Sequence, residues 1–212
     1  MTAKIWIVGE GNNELGCHDD HGNRKGGVLE ALLARVCASG WRCAGKSPWN
    51  VIRKFRAGGA RIAGPSHGDY FNVLGLVLAA YEAASDAVAF SRDVDGDPDR
   101  EDAVAAALDW IHDESDWKIE AIGGVAKPAV EGWILALLAV PDTDAMSRRR
   151  ASDLLAEQGI DLKSTDHYVH VVEEAALGEP RHFGLPPGSE SLRTWLATAH
   201  EVLNRLVHGQ TA

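Results

Sequence analysis

Two acidic turns hold the residues of this chain best suited to chemistry. The first, Gly9-Glu10-Gly11-Asn12-Asn13-Glu14, follows the apolar run Ile5-Trp6-Ile7-Val8. The second, Asp93-Val94-Asp95-Gly96-Asp97, follows Ala87-Val88-Ala89-Phe90. Asp93 and Asp95 are two apart, so in an extended segment both side chains face the same way. Carboxylates that converge repel one another and need a cation. Hard oxygen ligands of this kind suit Mg²⁺ or Mn²⁺. Metal held by Glu10, Asp93 and Asp95 can activate a water and stabilise the departing oxygen of a phosphodiester. Alternatively, Glu10 handles the proton while the aspartates hold the metal. Gly11 and Gly96 let the backbone turn sharply beside these acids. The plain alternative is an acidic turn after a strand. Glu10 in the matching position on another strand weighs against it.

For the two turns to meet, their strands must lie close together in an open parallel sheet, where ligands gather at the carboxyl ends. Residues 4–9, 87–92 and 118–125 read as strands, and a further short strand is predicted near Trp49-Asn50-Val51-Ile52. Residues 10–25 read as a polar, Gly-rich loop. Apolar spacing predicts helices over 27–38, 69–84, 98–114 and 129–140. Asp69 is placed as an N-cap, and Pro128 sits where the last of these helices can begin. The alternation implies an α/β fold, a mainly parallel sheet of about four strands between helices. Residues 147–158, 166–177 and 190–208 read as three more helices. The expected organisation is a domain over 1–140 that carries both acidic turns and a helical C-terminal extension over 141–212 packed on it, where its helices can cover the sheet or form a small subdomain.

Composition bounds the partners. The chain has 212 residues, 45% of them apolar, with seven Trp and a net charge of -10. A molecule this acidic does not attract polyanions as a whole, which counts against a simple nucleic-acid coat protein. An enzyme that meets phosphates through a metal and a local basic patch remains open. Cys17, Cys37 and Cys43 contain no C-x-x-C pair and read as thiols in a reducing compartment. No signal peptide or membrane-spanning run is read, so a cytoplasmic protein with no membrane partner is expected.

The acidic turns also carry a family resemblance. The segment Ile5 to Glu14 resembles the first TOPRIM motif, an apolar strand followed by Glu-Gly and a later acid. Ala87 to Asp97 resembles the second, a strand followed by Asp-x-Asp. The likeness covers roughly residues 4–135. It points to small stand-alone bacterial TOPRIM proteins related to the overcoming-lysogenization-defect nucleases. Those proteins often carry a later Glu-x-Trp opening an apolar helix, here Glu131-Gly132-Trp133. The resemblance implies Glu10 as general acid/base or metal ligand and Asp93 and Asp95 as Mg²⁺ ligands. Asp97 would be an outer or second-metal ligand, with Glu14 and Glu131 as further carry-overs. It implies metal-dependent nucleic-acid cleavage, DNA or RNA, in bacterial anti-phage defence. The alternative is a non-catalytic binding or regulatory subunit beside an ATPase or other protein partner. A homo-oligomer is compatible with either.

Gly9 departs from the family pattern, where an apolar residue usually precedes the glutamate. Cys17, His18, Asp19, Asp20 and His21 are competent zinc ligands but lack the spacing of a structural site, so a solvated loop is expected. An EF-hand reading of the second turn fails, since Pro98 and Val104 stand where Gly and Glu are needed. A haloacid-dehalogenase-type phosphatase matches Asp93-Val94-Asp95-Gly96, but Asp97 replaces its Thr. Among basic residues, Arg148, Arg149 and Arg150 can grip nucleic-acid phosphates or be a solvated helix start. Lys127 can touch a scissile phosphate or be an ordinary surface lysine.

Overall fold

The computed structural model describes residues 2–17, 25–54, 68–114, 116–178 and 183–209. In chain order it begins with β1 (Ala3–Gly9), the short α1 (Asn12–Leu15), α2 (Val28–Val36) and β2 (Trp41–Pro48). α3 (Gly68–Glu82) leads to β3 (Ala87–Phe90) and, after Ser91, β4 (Arg92–Asp93). α4 (Asp99–Glu114) precedes β5 (Glu120–Ile122) and β6 (Val125–Ala126). Four helices complete the chain: α5 (Val130–Leu137), α6 (Arg148–Glu157), α7 (Thr165–Glu174) and α8 (Glu190–His208).

β1 occupies the interior of a four-stranded sheet in the order β2-β1-β3-β5. Every neighbouring pair is parallel. β4 and β6 form a separate parallel pair that carries β3 and β5 onward past breaks at Ser91 and Gly123-Gly124. Parallel strands need covered faces, and the period-two alternation of the strands divides them between two cores. Val8, Val88 and Phe90 face Tyr70, Val73, Leu74 and Val77 of α3 and Val104 and Ile111 of α4. Ile5, Ile7, Ala87 and Ala89 face the other side, against Leu29, Leu32 and Leu33 of α2, Trp133 of α5, Tyr168 of α7 and Trp195 of α8.

The C-terminal helices thus share one hydrophobic core with the strands. Two tryptophans tie them to the site end of the sheet. The rings of Trp133 and Trp195 lie 5.8 Å apart. Trp195 Nε1 donates to the Phe90 carbonyl at 2.9 Å, and Trp133 Nε1 donates to Ser191 Oγ at 2.9 Å. A buried indole usually finds such a partner. Truncating either ring to alanine would cost about 3–5 kcal/mol.

The α/β class and the parallel sheet agree with expectation, while several local details differ. The second strand is Trp41–Pro48, and residues 49–51 form a 3₁₀ turn after it. Within the predicted loop, Asn12–Leu15 is helical. Asp69 is not the N-cap: α3 starts one residue earlier, and Asp69 lies buried in the first turn with its carboxylate on two arginines. No helix among the described residues is long and apolar enough to cross a membrane.

Candidate metal centre

β1 and β3 run side by side, with Val8 paired to Phe90. Their extensions therefore deliver Glu10 and Asp93 to the same end of the sheet. Carboxylate oxygens of Glu10, Asp93 and Asp95 all lie within 4.8 Å of one another. The backbone locks the first two together, because Glu10 Oε1 accepts the Asp93 N–H at 3.0 Å. Asp95 has a positive φ of 51°, next to Gly96 at 73°. That tight reversal returns the second aspartate over the first. All the donors are hard oxygens, and the cluster is a candidate divalent-cation site.

Gly9, the departure from the family pattern, has a local reason. A Cβ on it would lie 2.6 Å from Glu14 Cβ. Without that Cβ, α1 folds back against the strand end and Glu14 Oε2 accepts the Gly11 N–H at 3.0 Å. α7 holds α1 from outside, where Thr165 Oγ1 donates to the Asn12 carbonyl at 3.3 Å. Gly132 does similar work at α5, since a Cβ there would sit 2.2 Å from the Lys127 carbonyl. The first turn of α5 can then close, bringing Glu131 into the cleft and the Val130 N–H to Asp93 Oδ1 at 3.2 Å.

The resulting cleft, about 400 Å³, is lined by Glu10, Glu14, Asp93 and Glu131, with Arg148 and Lys163 as its cationic side chains. Asp93 is only 1% exposed. Burial, reinforced by Glu10, Glu14 and Glu131, pushes its carboxyl up to about 8, with Arg148 pulling the other way. Burial also raises Glu14, although hydrogen bonds from its own and the Gly11 backbone N–H lower it. Behind them sit two orphaned atoms. Glu131 Oε2 and the Tyr168 hydroxyl are buried without a hydrogen-bond partner among the described residues. Burial and the nearby Glu131 and Glu14 charges drive the Tyr168 pKa upward. An unpaired buried polar group is costly, and here the cost falls on an over-acidic cleft.

Three arginines keep these acids in place. Arg92 binds Glu10, lies 5.1 Å over the Trp49 ring and reaches Asp69 Oδ1 at 3.3 Å. Arg100 pairs with Asp69 Oδ2 at 2.8 Å and with Asp95 Oδ2 at 3.4 Å, and donates to the Asp93 carbonyl. Arg148, from the first turn of α6, meets Asp95 Oδ1 at 2.7 Å and Asp93 Oδ2 at 3.5 Å. Asp69, Arg92, Arg100 and Tyr168 have no motif signal. What marks the first three in the sequence is an acid inside an apolar helix start and charged residues flanking the Asp-x-Asp turn.

Of the sequence candidates, Glu10, Glu14, Asp93, Asp95, Glu131 and Arg148 come together. Asp97 points to Arg100 Nη2 at 4.0 Å and caps the start of α4, accepting from the Asp99 N–H at 3.2 Å. Lys127 pairs with Glu101 at 2.6 Å and lines a different hollow. Arg149 and Arg150 lie on α6 near Asp153 and Glu157, at 4.0 and 3.6 Å. His18, Asp19, Asp20 and His21 lie outside the described residues. No protein-family model matches this chain, and neither a curated protein nor a solved structure matches it.

Proposed function

We propose that this protein is a divalent-metal-dependent enzyme that cleaves nucleic-acid phosphodiesters, a TOPRIM-like nuclease using Mg²⁺ or Mn²⁺. The observation that carries the reading is the meeting of two acid-bearing turns, from adjacent parallel strands, within 4.8 Å. The donor set fits a hard cation: every oxygen is a carboxylate, burial and the charges of Glu10 and Glu14 disfavour a bare Asp93 carboxylate, and Glu131 Oε2 is buried with no hydrogen-bond partner among the described residues. A cation bound there polarises a phosphate and lowers the pKa of a water. Asp93 and Asp95 would be its ligands. Glu10 is a further ligand or accepts the proton of the attacking water. Arg148 and Lys163, on the same cleft, are the side chains available to phosphate oxygens. An anti-phage role belongs to the proposal through the motif resemblance alone.

A second reading is a non-catalytic subunit that binds a protein partner such as an ATPase. The net charge of -10 favours it, as do Arg149 and Arg150, which face acids of their own helix instead of forming an open basic track. Cleavage assays on labelled single- and double-stranded DNA and RNA, with Mg²⁺, Mn²⁺ or EDTA, separate the two. The nuclease reading expects metal-dependent cutting that disappears in the double variant Asp93→Ala/Asp95→Ala. No cutting with any substrate, joined to no cation binding at millimolar concentration, would leave the binding subunit as the better account.

A further inference from the structure

We propose that Arg148 is a built-in substitute for the metal, a guanidinium that neutralises the carboxylate cluster in the empty protein and is displaced into the cleft when a divalent cation binds. The inference rests on the metal-dependent reading above and adds to it a competition between one side chain and the ion. Arg148 Nη1 and Nη2 sit on Asp95 Oδ1 and Asp93 Oδ2, so a single guanidinium bridges two of the three clustered carboxylates. Arg92 and Arg100 hold the same acids from other sides, through Glu10 and through the far oxygen of Asp95. Neither forms an ion pair with the Asp93 carboxylate, and Arg148 alone does so among the described residues.

Geometry makes Arg148 the one that can leave. Its side chain is 51% exposed, against 12% for Arg100 and 16% for Arg92. Arg92 and Arg100 are tethered by Asp69, whereas the ion pairs of Arg148 are to Asp93 and Asp95. It also sits at the start of α6, where the helix dipole disfavours a cation. The carboxylates hold it there, and losing them to an ion releases it. Glu131 supplies the independent sign of a missing ligand. It is 8% exposed, lines the same cleft, and its Oε2 has no hydrogen-bond partner among the described residues although Arg148 is close enough to feel its charge. Glu131 thus stays unpaired with Arg148 in place, and a divalent ion brings twice the charge of that guanidinium. Once freed, Arg148 shares the cleft with Lys163 and is placed to meet a phosphate oxygen. The same side chain then opposes metal binding and supports turnover.

The test is a Mn²⁺ titration, read by the electron paramagnetic resonance of the free ion, on the full chain as wild type, Arg148→Gln, Arg148→Lys and Arg149→Ala. The exchange predicts that Arg148→Gln binds Mn²⁺ about tenfold more tightly, the effect of about 1.4 kcal/mol of lost competition. Arg148→Lys should fall between, and Arg149→Ala should match wild type. Mn²⁺ should also raise the melting temperature of Arg148→Gln more than that of wild type, while phosphodiester turnover falls in that variant. Equal or weaker Mn²⁺ binding by folded Arg148→Gln and Arg148→Lys, with wild type still binding the ion, would overturn the exchange and leave the nuclease reading standing. No Mn²⁺ bound by any of the proteins would overturn both.

Discussion

The cleft over Glu10 and Asp93 and the hollow beside Lys127 open on neighbouring strands at the same end of the sheet, yet they partner their acids differently. The hollow, about 230 Å³, has Val104, Leu108, Val125 and Trp195 among its walls, and its Lys127 ammonium is matched to the Glu101 carboxylate at 2.6 Å. At its far side Asp144 is satisfied by Ser191, through the backbone N–H at 2.8 Å and the hydroxyl at 2.7 Å. The cleft crowds Glu10, Glu14, Asp93 and Glu131 together, and burial with those neighbours drives its deepest acid, Asp93, up to about 8. Both are concave and both hold charge. Acids outnumber bases in both linings; what separates them is that Glu101, Asp144 and Glu190 of the hollow each have a partner, whereas in the cleft Glu131 Oε2 is buried with none among the described residues. Perturbed titration joined to an unpaired buried group marks a functional site better than concavity does.

The sharpest way to break this contrast is to remove an acid from the cleft and a charge from the hollow. On the nuclease reading, Asp93→Ala or Asp95→Ala is expected to lower metal-dependent cleavage by about a hundred- to a thousandfold, as losing an electrostatic element of a catalytic centre commonly does. Lys127→Ala and Glu101→Ala should leave turnover within a few-fold. Steady-state rates on one substrate decide it. A large loss from Lys127→Ala would move the chemistry toward the hollow and end the comparison.

A smaller effect should appear in stability without metal. Asp93 moves from 3.8 to about 8 on folding. Between those values the folded chain keeps a proton that the unfolded chain has lost. Its contribution is therefore fully present below about pH 4 and is lost as pH rises through about 8. The metal-free protein should weaken over that window by an amount on the order of a few kcal/mol, and Glu14, also raised, acts in the same direction. Asp93→Asn should flatten the profile and be more stable than wild type at pH 8 in EDTA. Melting temperatures at several pH values give the answer. Equal slopes in the two proteins would mean that Asp93 is not the strained group.

Both features of the contrast differ in how far the sequence shows them. The acid ends of β1 and β3 were legible because a fully buried strand is an unbroken apolar run, and the change to Glu or Asp is abrupt. β2 was not, since it pairs on one side only. Its residues are mostly half-exposed, and Trp41-Arg42-Cys43-Ala44-Gly45-Lys46 shows neither an apolar run nor clean alternation. Gly45, a poor strand former, is required there because a Cβ would lie 2.5 Å from the Trp6 ring. The apolar Trp49-Asn50-Val51-Ile52 drew the prediction a few residues too far along. Lys127 shows the limit for site residues. It is four positions from Glu131 in sequence, but the turn through residues 127–129 sends the two side chains to different cavities. Arg148 is the reverse case, since only the docking of α6 brings it to Asp93 and Asp95.

The smallest expected effect tests the division within the arginine triplet itself. Arg149 and Arg150 are 92% and 56% exposed, and each faces an acid of α6 at a distance typical of weak surface pairs. Such pairs contribute about 0–1 kcal/mol, so Arg149→Ala and Arg150→Ala should shift stability by less than about 0.5 kcal/mol. Their effect on nucleic-acid binding is the informative quantity. If only Arg148 faces the working cleft, both variants should bind labelled DNA or RNA with an unchanged salt dependence. If instead either one contacts a phosphate, affinity should drop across all sequences and the salt slope should fall by about one. That result would extend the binding surface from the cleft out along α6. It would also remove one of the two observations that favour a partner-binding subunit and leave only the net charge of -10, because those arginines would then be shared between their own helix and a polyanion.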